Sequence, residues 1–392
     1  VSDVAERLEE LRDRGLYRQL RLVSGPQGPR VLLDGRSALL LCSNNYLGLA
    51  DHPRVREAAA EAALRWGAGA GASRLVSGNM EPHRQLEARL AEFKGYEAAL
   101  LFGSGYLANS GVIPALTGAG EIVFSDQLNH ASIVDGCRLS RAETFVYRHG
   151  DLDHLAWGLE QAGRRGSLIV SDGVFSMDGD VAPLSELLEL ARRHGSRLMI
   201  DEAHATGALG REGRGSVAAA GLSGEVDIVV GTLGKALGSY GAYVCAGTET
   251  IDLLLNTARP FVFSTAPPPP SVAAAAAALE LVSAHRVERL RANAECFRGA
   301  LAAEGLDVSS SQTQIVPLEV GEAEPTMALC ERLLQRGVFA QGIRPPTVPV
   351  GSSRLRFTVM ATHRGDELER AARLVGAVAR ELGLVAPQSV PA

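Results

Sequence analysis

Apolar positions along the chain fall into short runs separated by longer amphipathic stretches. Val4, Leu8, Leu11 and Leu16 recur at near-helical spacing among charges, with Gly15 as an interruption, so residues 3–21 predict an amphipathic arm. Such an arm either packs on the body or reaches a partner subunit. Val31-Leu32-Leu33 and Leu39-Leu40-Leu41 flank the turn signal Asp34-Gly35-Arg36, which predicts a hairpin just before Ser43-Asn44-Asn45-Tyr46. From about residue 47, helical stretches at 53–66 and 82–94 alternate with apolar runs at 98–102, 122–124, 167–170, 198–200 and 226–230. That alternation predicts a mostly parallel α/β sheet, which binds ligands at the carboxyl ends of its strands. Pro267 to Pro270 should stop the preceding element, with Ser271 capping an alanine-rich helix over 272–284. Leu368, Ala372, Val375 and Val378 form one stripe of a helix over 364–383, and the proline-bearing tail 384–392 is expected to fray.

Length changes this picture by implying two lobes, because 392 residues exceed the roughly 250 to 300 at which single cores stop growing. The divisions expected are an arm and hairpin over 1–46, a large domain over 47–284 and a small C-terminal domain over 285–392. A net charge of −6 leaves no electrostatic footprint for nucleic acid, so small molecules are the expected partners. The five cysteines are scattered, odd in number and without C-x-x-C spacing, which suggests neither a disulfide framework nor a metal site. No basic-then-apolar leader opens the sequence, and no apolar run reaches the roughly 18 residues of a membrane span. A cytoplasmic protein is the expectation.

The predicted strand ends carry the candidate chemistry. Gly103-Ser104-Gly105 follows the first run, Asp126 the second, Asp172 the third and Asp201 the fourth, while Lys235 lies past the fifth in Gly231-Thr232-Leu233-Gly234-Lys235-Ala236-Leu237-Gly238. A lysine boxed by small residues can be reached by a cofactor aldehyde. Pyridoxal 5′-phosphate (PLP) needs such a lysine, a carboxylate for its pyridine nitrogen and an anion cradle for its phosphate. Asp201 would be costly to bury unpaired, so it must meet a protonated ring nitrogen or a cation such as Arg197. Small residues at Gly103-Ser104-Gly105-Tyr106 read as a phosphate-binding helix start or as an ordinary tight turn. Ser176 and Thr232 offer hydroxyls to a cradle or cap their own turns. His204, three residues beyond Asp201, can reach a phenolic oxygen, and His130 can stack a flat ring on the pyridine.

These segments, with Ser43-Asn44-Asn45-Tyr46-Leu47-Gly48, Gly71-Ala72-Ser73-Arg74-Leu75-Val76-Ser77-Gly78, Asn129-His130-Ala131-Ser132 and Gly173-Val174-Phe175-Ser176-Met177-Asp178-Gly179, resemble the α-oxoamine synthases. That family of fold-type I PLP-dependent transferases condenses an amino acid with an acyl-CoA and releases CO2. The resemblance spans about residues 16–382. It implies a large, mostly parallel-sheet domain and a smaller α+β domain built from both termini. The segment 343–356 looks most like the branch that makes 8-amino-7-oxononanoate from L-alanine and pimeloyl-CoA in biotin synthesis.

Carried over by resemblance, Lys235 binds the cofactor covalently, Asp201 meets the pyridine nitrogen, His130 stacks and His204 neighbours the phenolic oxygen. Gly105, Tyr106, Ser176 and Thr232 match cofactor contacts. Ser264 and Thr265 match a segment that reaches the neighbouring subunit's phosphate, which implies a homodimer with shared active sites. Arg356 matches the holder of the amino-acid carboxylate, Arg344 and Thr347 a substrate loop, Asn44 a substrate contact and Arg18 an arginine at the substrate entrance, with Arg21 close enough to replace it. Ala72 stands where many relatives have a second glycine. The rival branch is glycine C-acetyltransferase, using glycine and acetyl-CoA. Another fold-type I enzyme, such as an aminotransferase, and a non-catalytic scaffold subunit stand further off.

Overall fold

The computed structural model describes residues 3–385, so most of the predicted tail, 386–392, lies outside the described residues. The chain divides into two compact units. The larger comprises residues 44–176 and 180–288 and is built on a seven-stranded sheet. Its strands run in the order Ala98–Phe102, Ala242–Ala246, Ile228–Thr232, Arg197–Asp201, Ser167–Asp172, Ile122–Asp126, Glu143–Tyr147. All neighbours pair in parallel except Ala242–Ala246, which is antiparallel to both of its partners.

Alternation along each strand feeds two cores. Leu168, Val170, Met199, Ile228 and Val230 bury on one face, and Ile169, Leu198, Ile200 and Val229 on the other. Both faces are therefore covered, which is why these strands read as continuous apolar runs. Each fully buried side chain of this kind contributes about 1.5–3 kcal/mol.

Two strands lie outside the predicted runs. Glu143–Tyr147 is an edge strand with exposed positions, and Ala242–Ala246 is the antiparallel insertion. The helices Pro53–Trp66 and Glu81–Lys94 lie where periodicity places them. The alanine-rich helix instead runs Pro269–Leu281, with Pro268 as its cap residue. The prolines thus start this helix, since their fixed φ suits its first turn. Ser271 does not cap it: its hydroxyl donates to the Pro268 carbonyl at 2.8 Å.

The smaller unit comprises residues up to 43, 177–179 and 289 onward. One of its sheets orders Val23–Ser24, Arg30–Leu33, Arg36–Leu40 and Val338–Phe339, and the other orders Ile315–Gly321, Ser353–Thr358 and Gln341–Ile343. The hairpin turns through Asp34 and Gly35, with φ of 48° and 79°, both left-handed as a two-residue hairpin loop requires. Helices Ala323–Gln335 and Gly365–Glu381 belong to the unit, as does helix Ala284–Ala303 from residue 289 onward. The arm is helical only over Val4–Asp13 and buries none of its residues.

Candidate active site

Strand Ile228–Thr232 delivers Lys235 at its carboxyl end. Thr232 Oγ1 accepts from the Gly234 amide at 3.2 Å and donates to the Gly241 carbonyl at 3.1 Å, so this hydroxyl braces the lysine loop. Lys235 Nζ lies 2.8 Å from His204 Nε2, and His204 Nδ1 lies 2.6 Å from the Tyr46 hydroxyl. Tyr46 in turn donates to Asn44 Oδ1 at 3.1 Å. Gly238, at φ 59°, lets residues 49–50 approach this loop, because a Cβ there would sit 2.4 Å from the Ala50 nitrogen.

Asp201 ends the neighbouring strand and is 4% exposed. Its Oδ1 accepts from the Ala203 amide at 2.8 Å and its Oδ2 from Asn109 Nδ2 at 2.6 Å. Arg197, the alternative partner, donates instead to the Leu116 carbonyl. Among the described residues no cation pairs with Asp201, so this buried carboxylate fits a protonated pyridine nitrogen. Asp172 lies beside it in register. Complete burial, reinforced by the Asp201 charge, raises the Asp172 carboxyl well above the usual range. Asp172 Oδ2 accepts the His130 amide at 2.8 Å, which fixes the start of helix Ala131–Ser140.

His130 is exposed overall. Desolvation nonetheless holds its imidazole below the ordinary value, with Lys235 acting in the same direction and Asp201 against it. Its Nδ1 meets Ser132 Oγ at 2.8 Å.

Helix Gly105–Leu116 begins beyond Ser104, whose Oγ accepts from the Leu107 amide at 3.2 Å. First-turn amides lack intrahelical partners and attract anions. A Cβ at Gly105 would meet nothing within 4 Å, so the space above that turn is open. Tyr106 is half exposed and its hydroxyl donates to Asp135. Ser176 sits in the turn closed by the Val174–Val181 bridge. Thr265 bridges Ser73, and the Ala266 amide donates to the Ala72 carbonyl at 3.0 Å. Position 72 therefore contributes its backbone to this pairing. The hydroxyls of Ser264 and Thr265 make no hydrogen bond to a described residue, and the structure does not join them to the Lys235 cluster.

In the smaller unit, Arg356 is 7% exposed on strand Ser353–Thr358. Arg344 Nη2 donates to the Tyr17 carbonyl at 2.9 Å, which ties the loop carrying exposed Thr347 to the residue before Arg18. Arg21 is held by Glu331 at 2.8 Å, whereas Arg18 is exposed and has no hydrogen bond or ion pair to a described residue.

Sequence reasoning missed the roles of Tyr46, Asn109, Ser132 and Asp172. It also missed His149, whose Nδ1 lies 2.9 Å from Asp126 and Nε2 3.0 Å from Asp180. Hydrogen bonds to Asp126 and Asp180 raise His149 from 6.5 to about 10. A raised folded-state pKa stabilises the fold fully below the unfolded value and loses that contribution as pH rises through the folded one. Stability should therefore decline between about pH 6.5 and 10, and His149→Ala should flatten that decline in denaturant titrations. An unchanged slope in the variant would refute the assignment.

The architecture is that of the fold-type I PLP-dependent transferases. The aminotransferase class I and II family model matches residues 36–375, and the chain belongs to that family. An 8-amino-7-oxononanoate synthase of Geobacter sulfurreducens is 57% identical over 98% of this chain and 100% of its own length. A serine palmitoyltransferase from S. paucimobilis, solved with PLP and myriocin bound, is 32% identical and superposes with a TM-score of 0.92 over 97% of this chain and 98% of that one. An 8-amino-7-oxononanoate synthase structure from Francisella tularensis is 28% identical, with a TM-score of 0.76 over 88% of this chain and 98% of that one. The cofactor of this chain is PLP.

Proposed function

We propose that this chain condenses L-alanine with pimeloyl-CoA to give 8-amino-7-oxononanoate, CoA and CO2. The observation that carries the reading is the buried Asp201 carboxylate, hydrogen-bonded but paired with no cation among the described residues, on the strand next to the one that delivers the Lys235–His204 pair, in a chain 57% identical to a synthase of that name. Bound PLP supplies an electron sink for the charge left at the amino acid's α-carbon.

The protein's own groups do the rest. Lys235 would hold the cofactor, and its Nζ would take the α-proton of the alanine as general base. His204 Nε2 orients that amine. Asp201 would keep the pyridine nitrogen protonated, His130 would stack on the ring, and the helix start at Gly105 and Tyr106, with Ser176 and Thr232, would receive the phosphate. Arg356 takes the alanine carboxylate through its planar fork. Asn44, Arg344 and Thr347 line the substrate path. Ser264 and Thr265 serve the partner's site in a homodimer. The reaction belongs in the cytoplasm, in keeping with five unbridged thiols.

The acyl chain's terminal carboxylate needs a cation or hydrogen-bond donors, and Arg18 supplies one directly or through water. Assays pairing each amino acid with each acyl-CoA test this reading. kcat/KM should favour L-alanine with pimeloyl-CoA over glycine with acetyl-CoA; the opposite order would move the chain to the glycine C-acetyltransferase branch. One methyl on the amino acid is worth only about 1–3 kcal/mol, so some activity with glycine is expected. Arg18→Ala should weaken pimeloyl-CoA roughly tenfold more than an uncharged acyl-CoA of similar length, the scale of one charge-assisted hydrogen bond. Equal losses for both would place Arg18 on CoA or in the fold.

A further inference from the structure

Asn109 is 1% exposed on helix Gly105–Leu116 and takes no part in the chemistry above. Its Nδ2 lies 2.6 Å from Asp201 Oδ2 and 2.9 Å from Ser132 Oγ. A carboxylate only accepts, so the amide nitrogen must face Asp201, and its two hydrogens match these two acceptors. Ser132 Oγ, having accepted from Asn109, has its own hydrogen left for His130 Nδ1 at 2.8 Å. The Ser132 amide also points at that nitrogen, at 3.2 Å. His130 Nδ1 therefore carries the lone pair and Nε2 the proton.

We infer that Asn109 is a positioning residue that joins Asp201 and His130 into one hydrogen-bonded unit through Ser132. The inference rests on the proposed reading of those two residues as the groups that meet the cofactor ring. The direction of every bond is set by its ends, a carboxylate that can only accept and a backbone amide that can only donate. Neither Asp nor Leu at 109 reproduces it: Asp would press a second carboxylate on Asp201, and Leu would leave that carboxylate short of a donor. Asn109 Oδ1 is buried without a partner among the described residues, so the side chain is held by its donors alone. Gly136 permits the reach between the two helices, because a Cβ there would lie 2.8 Å from the Asn109 backbone oxygen and 2.9 Å from Ile113. The lowered pKa of His130 keeps its ring neutral, which leaves Nδ1 free to accept.

The test uses full-length, PLP-loaded protein labelled with 15N-histidine, with the His130 signal among nine histidines assigned by its loss in His130→Asn. Asn109→Ala should shift the His130 Nδ1 resonance although the hydrogen bonds between them run through Ser132, and should not shift it in a Ser132→Ala background. Turnover in Asn109→Ala should fall roughly 10- to 100-fold, the scale of losing a hydrogen bond to a charged group, with KM for pimeloyl-CoA unchanged. The double variant should be no slower than Asn109→Ala alone, since the chain is already broken, and Ser132→Thr should restore the wild-type signal. If Asn109→Ala does not fold, Asn109→Ser takes its place with the same expected shift. An unmoved His130 signal, an equal shift in both backgrounds, or multiplicative losses in the double variant would overturn the coupling. Full turnover in Asp201→Asn would instead sink the reading of the cofactor site, while the His130 signal would still decide the coupling.

Discussion

Lys235→Ala should lower turnover of L-alanine with pimeloyl-CoA by at least about 10⁴-fold, because general base catalysis alone contributes about 10²–10⁴ and the covalent attachment goes with it. The half-buried side chain ends beside His204 rather than inside a core, so thermal stability should change little. Added methylamine can supply a base to the vacated space, and partial rescue of the rate would place the loss on the amine and not on the fold. Retained activity in Lys235→Ala would remove the residue from the mechanism altogether.

Asp201→Asn should cost roughly 10²- to 10³-fold in turnover, the range for removing one preorganised electrostatic contact. Two effects combine. A neutral amide cannot hold the pyridine nitrogen protonated. The new NH2 group must also face either the Ala203 amide or the Asn109 amide, both of which donate to Asp201 in the native protein at 2.8 and 2.6 Å. Part of the bound PLP should therefore be lost. Adding Asn109→Asp restores the donor–acceptor match at position 201, which stays neutral, though not the donation to Ser132. Cofactor content should recover in that double variant and turnover should not. Recovery of both would mean that Asp201 serves only the hydrogen-bond network.

The site's strand-end groups were legible because a parallel sheet buried on both faces writes its strands as apolar runs, and the residue after each run is placed at the ligand edge. Lys235, Asp201 and the Gly105 turn could be found in that way. His130 and His204 became readable only beside them. Glu143–Tyr147 was hidden because an edge strand keeps exposed positions and shows no run. Ala242–Ala246 is a buried apolar run that went unread, and nothing local marks its antiparallel insertion between parallel neighbours. The start of Pro269–Leu281 was misread because proline both ends one helix and opens another, and only the backbone before it decides which.

The orienting groups were illegible for a different reason. Asn109 and Asp201 meet across 92 residues, and Tyr46 and His204 across 158. No periodicity records such pairings. The family resemblance alone supplied the roles proposed for Arg356, Arg344 and Arg18, and the ion pair of Arg21 with Glu331 is a contact that no spacing records.

Borohydride reduction of the PLP-loaded protein followed by peptide mapping tests the site assignment most directly. The account predicts loss of the visible cofactor absorbance and one pyridoxyl label, on the peptide that contains Lys235. A label on Lys94, which is buried in an ion pair with Glu202, or on any lysine other than Lys235, would contradict it.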